Sequence, residues 1–301
     1  MAVSADRRAV AVTTPPKARP TSFYLLAVVR YGLLTLLALV AFMPFILSFL
    51  GTFKSNIELT TFPPQVFPNQ WRFDNWVRVW NFSLPSVQGA VMPRWIWNSV
   101  WLAIVNVATQ LFFCSLAGYA FARMRFPGKN IIFSFIIATM AIPGIITMIP
   151  GYVFFARLGW INTFWPLIVP NLVTPFGILM LTQFFKSIPK ELEEAAYMDG
   201  LGRFGSYWQI ALPLSRPALI TLAILAFQGS WNNFTGPLLF LQSPDKMTLT
   251  VGMNFFRTQF SNDFSAILVG AMFNAIPVLI LFFVLNRYFL ESASYSGLAG
   301  Q

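Results

Sequence analysis

Six stretches of this chain are apolar over about 20 residues or more, the length a helix needs to cross the hydrocarbon core of a bilayer. They run at about 31–50, 97–122, 131–156, 162–185, 214–235 and 264–287. That repetition constrains the fold more than any single motif, because each stretch must be housed in lipid or in protein. Only 10% of the 301 residues are charged, against about 25% in an ordinary soluble domain. Mean hydropathy is +0.64 and 33 residues are Phe. Alternating ten-residue strands of the outer-membrane barrel kind are absent. The expectation is an all-α polytopic membrane protein with six transmembrane helices.

Composition also removes whole classes of chemistry. There is no histidine, which excludes His-based triads, imidazole metal sites and His proton relays. The single cysteine, Cys114, lies inside an apolar span, so no disulfide framework exists and its expected role is packing. No span carries a deeply placed carboxylate, Lys or Arg, which counts against a proton- or cation-coupled carrier. The net charge of +10 comes from basic residues scattered at span ends. Retention at a membrane face accounts for them better than nucleic acid does.

In chain order, residues 1–22 read as a disordered basic tail with Arg7, Arg8, Lys17 and Arg19. Residues 23–50 form the first transmembrane helix, too long in its apolar run for a cleaved signal. Residues 51–94 read as a Pro- and Trp-rich extracytoplasmic loop in which Asp74 caps a short helix through Trp80. Residues 95–290 hold the other five spans, and 291–301 read as a short polar cytoplasmic tail. With both termini on one side, 13 basic residues fall on that side or at its helix ends and 7 on the other. The excess of positive charge makes the termini cytoplasmic. It also places the loop between spans four and five in the cytoplasm.

That loop is the most informative part of the sequence. Residues 187–217 hold four of the ten acidic residues, Glu191, Glu193, Glu194 and Asp199. Pro189 suits the first turn of a helix, and the glutamates that follow complement its positive dipole end. Asp199-Gly200 is a good stop, because Gly accepts the left-handed conformation at C′. A second short helix is expected from Arg203 to Ile210, with Leu212-Pro213 turning the chain into the fifth span. The bland alternative is a solvated amphipathic connector.

Spacing decides against the bland alternative. Glu194-Ala195-Ala196, three residues, Gly200, nine residues, Ile210, one residue, Leu212-Pro213 is similar to the E-A-A-x3-G-x9-I-x-L-P signature of ABC importer permeases, without gaps or substitutions. The chain resembles in particular the second-subunit branch of the maltose-type carbohydrate permeases. Asn98-Ser99, Gly118-Tyr-Ala-Phe-Ala-Arg123 with Phe126-Pro-Gly-Lys129, Gln183 to Ala196, and Ser230-Trp-Asn-Asn-Phe234 with Pro237 to Leu241 carry the same resemblance, which covers about residues 30–290. It implies a bacterial or archaeal inner-membrane permease that partners a second permease subunit, two copies of a cytoplasmic ABC ATPase and an extracytoplasmic solute-binding protein. The coupling loop, 187–213, would insert into the ATPase. Glu194 would make polar contacts there, and Ala195 and Ala196 would pack close to it. Asp199 and Gly200 would form the turn, and Ile210, Leu212 and Pro213 would anchor the loop to the fifth span. The chain has no G-x-x-x-x-G-K-[ST] phosphate loop. ATP and Mg therefore belong to the partner ATPase, and neither a catalytic residue nor a metal ligand is expected here.

Polar residues in lipid are costly and face protein or water. The candidates for a translocation path are Asn106, Thr109 and Gln110 in the second span, Asn171 and Thr174 in the fourth, Gln228, Asn232 and Asn233 in the fifth, and Asn274 in the sixth. The alternative for each is ordinary interhelical hydrogen bonding. Pro143-Gly144 and Pro150-Gly151 are either gate hinges or plain kinks. A permease for a non-sugar solute, a secondary transporter and a membrane-embedded enzyme remain the competing readings.

Overall fold

A computed structural model describes the backbone of residues 21–258 and 263–298, and the side chains of 26–257 and 263–284. Residues 1–48 and 49–301 form two units. Within the first, the described part is helical throughout and belongs to α1 (Thr21–Gly51). From Leu26 to Leu47 its Leu, Val and Phe side chains are exposed on every side, as suits a helix solvated by lipid. Residues 21 and 22, expected in the tail, already lie in this helix; the remainder of the expected tail, 1–20, lies outside the described residues.

The second unit begins with two short helices in the segment expected to be a loop. In α2 (Asn56–Thr60), Ser55 and Glu58 form a capping box, each satisfying a backbone N–H of the other. Asp74 does not cap α3 (Asp74–Trp80). It is the first residue of the helix, the N-cap is Phe73, and no side chain fills the cap. Asp74 instead sits in the first turn, where its charge meets the helix dipole.

The long helix α4 (Met92–Arg123) is the spine of the unit, starting with Pro93 at its open N-terminus. It packs along α8 (Pro175–Ser187) and α12 (Arg216–Trp231). The chain turns through Gly128, whose φ of 74° is left-handed, into α5 (Lys129–Ala138) and, after a 3₁₀ turn, α6 (Gly144–Arg157). The two helices meet at 101°. The break falls at Pro143, which Ile142 precedes in extended backbone. Pro150, expected as a second interruption, is accommodated inside α6.

Next come α7 (Trp165–Ile168) and α8 (Pro175–Ser187), whose N-cap Thr174 accepts a hydrogen bond from the Gly177 N–H at 3.2 Å. The loop region holds α9 (Lys190–Met198), α10 (Arg203–Ser206), a π-turn at Tyr207–Ala211 and α11 (Leu212–Leu214). α12 (Arg216–Trp231) leaves it at 76°. After α13 (Thr235–Phe240), α14 (Leu249–Gly252) and α15 (Phe255–Thr258) comes α16 (Phe264–Leu298). The tail expected from 291 is therefore helical to Leu298.

Among the described residues, four helices are long and apolar enough to cross a membrane, or up to six if each bent pair is one span. Gly118 shows why α4 and α8 sit so close. A Cβ there would lie 2.9 Å from Leu181 Cβ and 3.2 Å from the Thr182 nitrogen. Cys114 is buried at the same seam against Gly177, a small-residue contact of the kind that lets helices approach in lipid.

At the far end of the unit, Asn162 adopts φ 60°, which Asn tolerates better than most residues. Its Oδ1 accepts from the Gln242 and Ser243 N–H groups, and its carbonyl accepts from Lys246 Nζ at 2.8 Å. One residue thus pins the α6–α7 turn to the segment after α13.

Candidate functional site

Residues 188–215 fold as a compact helical element. α8 stops at Ser187 because Pro189 follows Ile188, forcing extended backbone. Pro189 is the N-cap of α9, one position before the helix proper. α9 ends in a Schellman motif. The Leu201 N–H donates to the Ala196 carbonyl at 2.9 Å and the Gly200 N–H to the Tyr197 carbonyl at 3.1 Å, with Gly200 at φ 86°. The second helix is interrupted: α10 gives way to the π-turn, ahead of Pro213. Proline lacks the N–H that would bond the carbonyl four residues back, and the π-turn shifts the bonding pattern there.

α9 has two unlike faces. Inward, Glu193 and Ala196 are buried, three residues apart on one side of the helix. Glu193 Oε1 lies 2.7 Å from Arg123 Nε at the end of α4, with side-chain exposures of 7% and 8%. The Tyr119 hydroxyl donates to Glu193 Oε2 at 3.3 Å. Arg123 also donates to the Ile188 carbonyl, where the loop begins. The pair suits both helices, placing a cation at the C-terminal end of α4 and an anion in the first turn of α9. The loop's far side is held by Tyr207 and Ala211, both buried. The Tyr207 hydroxyl lies 2.8 Å from Ser115 Oγ, and its ring is 5.1 Å from that of Tyr119.

Outward, Glu194, Ala195, Asp199 and Gly200 are exposed. Beside them Met198 is 89% exposed and Phe204 70%, with Leu192, Tyr197 and Trp208 also open. The Phe204 and Trp208 rings stack at 6.5 Å and 17°. A patch of large apolar side chains around a carboxylate marks an interaction surface.

The sequence-predicted residues therefore divide. Glu194, Ala195, Asp199 and Gly200 lie on the outer face. Ala196, expected to pack on a partner, is instead 4% exposed and packs within the chain, because it follows Glu193 by three residues on the inward stripe. Of the expected anchors, Leu212 packs against the core, Ile210 is half-buried and Pro213 is exposed. Tyr207, Ala211, Arg123 and Glu193 fasten the loop alongside Leu212. None of these four was expected from the sequence as an anchor of the loop. The only signal for Arg123 was its place in the Gly118–Arg123 stretch.

A second feature lies between α4, α8 and α12. Asn106, Gln110, Asn171, Thr174, Ser230 and Asn233 line a cavity of about 260 Å³ with Leu102, Leu225 and Gly229. Asn106 Nδ2 donates to Ser230 Oγ at 3.0 Å, while its Oδ1 is buried without a partner. Asn233 lies past the end of α12, where its Oδ1 accepts from the Gly236 N–H. The other candidates do not meet at this cavity. Thr109 hydrogen-bonds back to the Val105 carbonyl, Gln228 is exposed, and Asn232 caps α12. Asn274 offers its carbonyl to Trp231 Nε1 at 3.0 Å, a bond between α16 and α12.

Residues 114–290, more than half of the chain, match the family model for the binding-protein-dependent transport system inner membrane component. The arabinooligosaccharides transport system permease protein of Halalkalibacterium halodurans is 32% identical, over 88% of this chain and 93% of that one. The lactose transport system permease protein of Rhizobium radiobacter is 29% identical over the same shares. Among solved structures, a chain of a bacterial ABC transporter involved in import of the acidic polysaccharide alginate shares the fold. Its TM-score is 0.75 at 24% identity, covering 91% of this chain and 100% of that one. On the family match and the permease identity together, this chain belongs to the inner membrane components of binding-protein-dependent transport systems, as a multi-pass permease.

Proposed function

We propose that the chain is one of two permease subunits of an ATP-driven importer for an oligosaccharide, and that residues 187–213 transmit the stroke of a separate cytoplasmic ATPase. The observation that carries this is the two-faced α9. Its inner face is tied to α4 by the Arg123–Glu193 pair, and its outer face presents Glu194 among open apolar side chains. A rigid element transmits a push that a floppy loop would absorb. As a permease subunit the chain is not catalytic; ATP and Mg sit on two copies of the ATPase. A solute-binding protein delivers the substrate from outside, as the family description implies. Both termini are cytoplasmic, by the distribution of basic residues.

The oligosaccharide reading rests on relatives that carry arabinooligosaccharides and lactose. The amide-lined cavity fits it, because Asn106, Gln110 and Asn171 offer donors and acceptors without charge. The test is Glu194→Lys in the assembled transporter. Loss of ATPase co-purification, with the permease still folded, is the expected outcome. Intact association and transport would sink the coupling role.

A further inference from the structure

α9 closes one wall of a cavity of about 440 Å³, with its buried Glu193 and its exposed Lys190, Glu194 and Tyr197 among the lining, and the end of α4 and the start of α5 complete it. Five cations line it, Arg123, Arg125, Lys129, Lys190 and Arg203, against the two carboxylates Glu193 and Glu194. Arg123 and Glu193 neutralise each other at 2.7 Å. What remains is four cations and one carboxylate around a polar space. Lys129 Nζ donates to the Met124 carbonyl. Among the described residues the two ion pairs are Arg78–Asp263 and Arg123–Glu193, so within that set Arg125, Lys190 and Arg203 make no ion pair. Like charges crowd this space, with Glu194 the one carboxylate left in the lining to offset them. Its volume lies within the roughly 300–1,000 Å³ of known ligand sites.

We infer that this cavity binds a phosphate-bearing anion, which holds the α4–α5 connector against α9. Guanidinium forks and ammonium groups suit phosphate oxygens. Four separate cations reaching one space can also satisfy a group that carries more than one charge. The inference rests on the reading that this face is cytoplasmic. There, basic pockets between helices meet lipid headgroups, while free phosphate compounds arrive from the aqueous side.

The test uses the full chain in nanodiscs. Wild type, Arg125→Ala/Lys190→Ala and the control pair Arg30→Ala/Arg216→Ala are placed in phosphatidylcholine with and without phosphatidylglycerol. Retained lipid is counted by native mass spectrometry, and melting is followed with and without inorganic phosphate. The cavity variant alters only exposed side chains, and its melting temperature in pure phosphatidylcholine checks that it folds. Selective retention of phosphatidylglycerol by wild type and the control pair, weakened about tenfold or more in the cavity variant, supports the site and makes its ligand a lipid. Protection of wild type by inorganic phosphate alone, lost in the cavity variant, supports the site and makes its ligand soluble. No selective anion effect, or equal loss in the control pair, overturns it. So does loss of ATPase co-purification in the cavity variant with anion binding unchanged, which assigns these cations to the ATPase interface. Failure of Glu194→Lys to release the ATPase would leave the anion measurements untouched, so the two readings fail separately.

Discussion

Glu193→Gln removes one charge from a buried pair and leaves its shape nearly unchanged. Arg123 then keeps a guanidinium that is 8% exposed, with its bond to the Ile188 carbonyl but no counter-charge. Breaking a buried pair on one side costs about 3–5 kcal/mol, mostly because the surviving charge is left uncompensated. The retained carbonyl bond places this site toward the lower end of that range. The cost should be local, since Glu193 ties only α9 to α4. Amide hydrogen exchange is the suitable assay, because it separates local opening from global unfolding. Residues 188–203 of the variant are expected to exchange faster by about two orders of magnitude, as about 3 kcal/mol implies, while the α4–α8–α12 seam keeps its protection. Replacing both partners, Arg123→Met with Glu193→Leu, removes the orphaned charge. That double variant is expected to be more stable than either single one. Unchanged exchange in Glu193→Gln, or additive single and double variants, would refute the reasoning that the pair fastens the loop.

Two further outcomes follow from other parts of the fold. Gly118→Ala places a Cβ 2.9 Å from Leu181 Cβ and 3.2 Å from the Thr182 backbone nitrogen. It should destabilise the α4–α8 seam by about 1–3 kcal/mol, read as a lower melting temperature of the purified chain. Asp263 illustrates a pH effect of definite sign. Burial pushes its carboxyl up, but hydrogen bonds from Ser265 and the Ala266 N–H and the charge of Arg78 outweigh it, holding the group below its ordinary value. A depressed pKa gives stability that is present above the unfolded value of about 3.9 and is lost as pH falls through the lower folded value. The stability gap between wild type and Asp263→Asn should therefore stay level from neutral pH to about 5 and narrow below about 4. A gap that widens on acidification would contradict this.

Much of the site was legible in order but not in orientation. The motif spacing located the loop, and Gly200 fell at the left-handed stop expected of Asp199-Gly200. Glu193 was indistinguishable from Glu191 and Glu194, because an acidic residue in a polar loop reads as solvated. Only Arg123, 70 positions earlier, makes it an inward residue. Met198, Phe204 and Trp208 were unremarkable in a chain with 33 Phe; their meaning comes from being left uncovered. The path candidates divided for a similar reason. Asn106 and Asn171 turn to one cavity while the Asn274 side-chain oxygen is buried away from it without a partner, and hydropathy assigns no direction to an amide.

Local physics accounts for what the sequence alone determined. Apolar length demands helices that span, proline and glycine mark where they stop, and the unbroken spacing from Glu194 to Pro213 identifies the loop. Tertiary structure alone decided which side of each helix matters. It buried Ala196 and Glu193 together, bent the third apolar stretch by 101° at Pro143, and gathered around one cavity four cations that make no ion pair among the described residues. Those outcomes depend on residues distant in sequence competing for the same few ångströms, and no window along the chain contains both competitors.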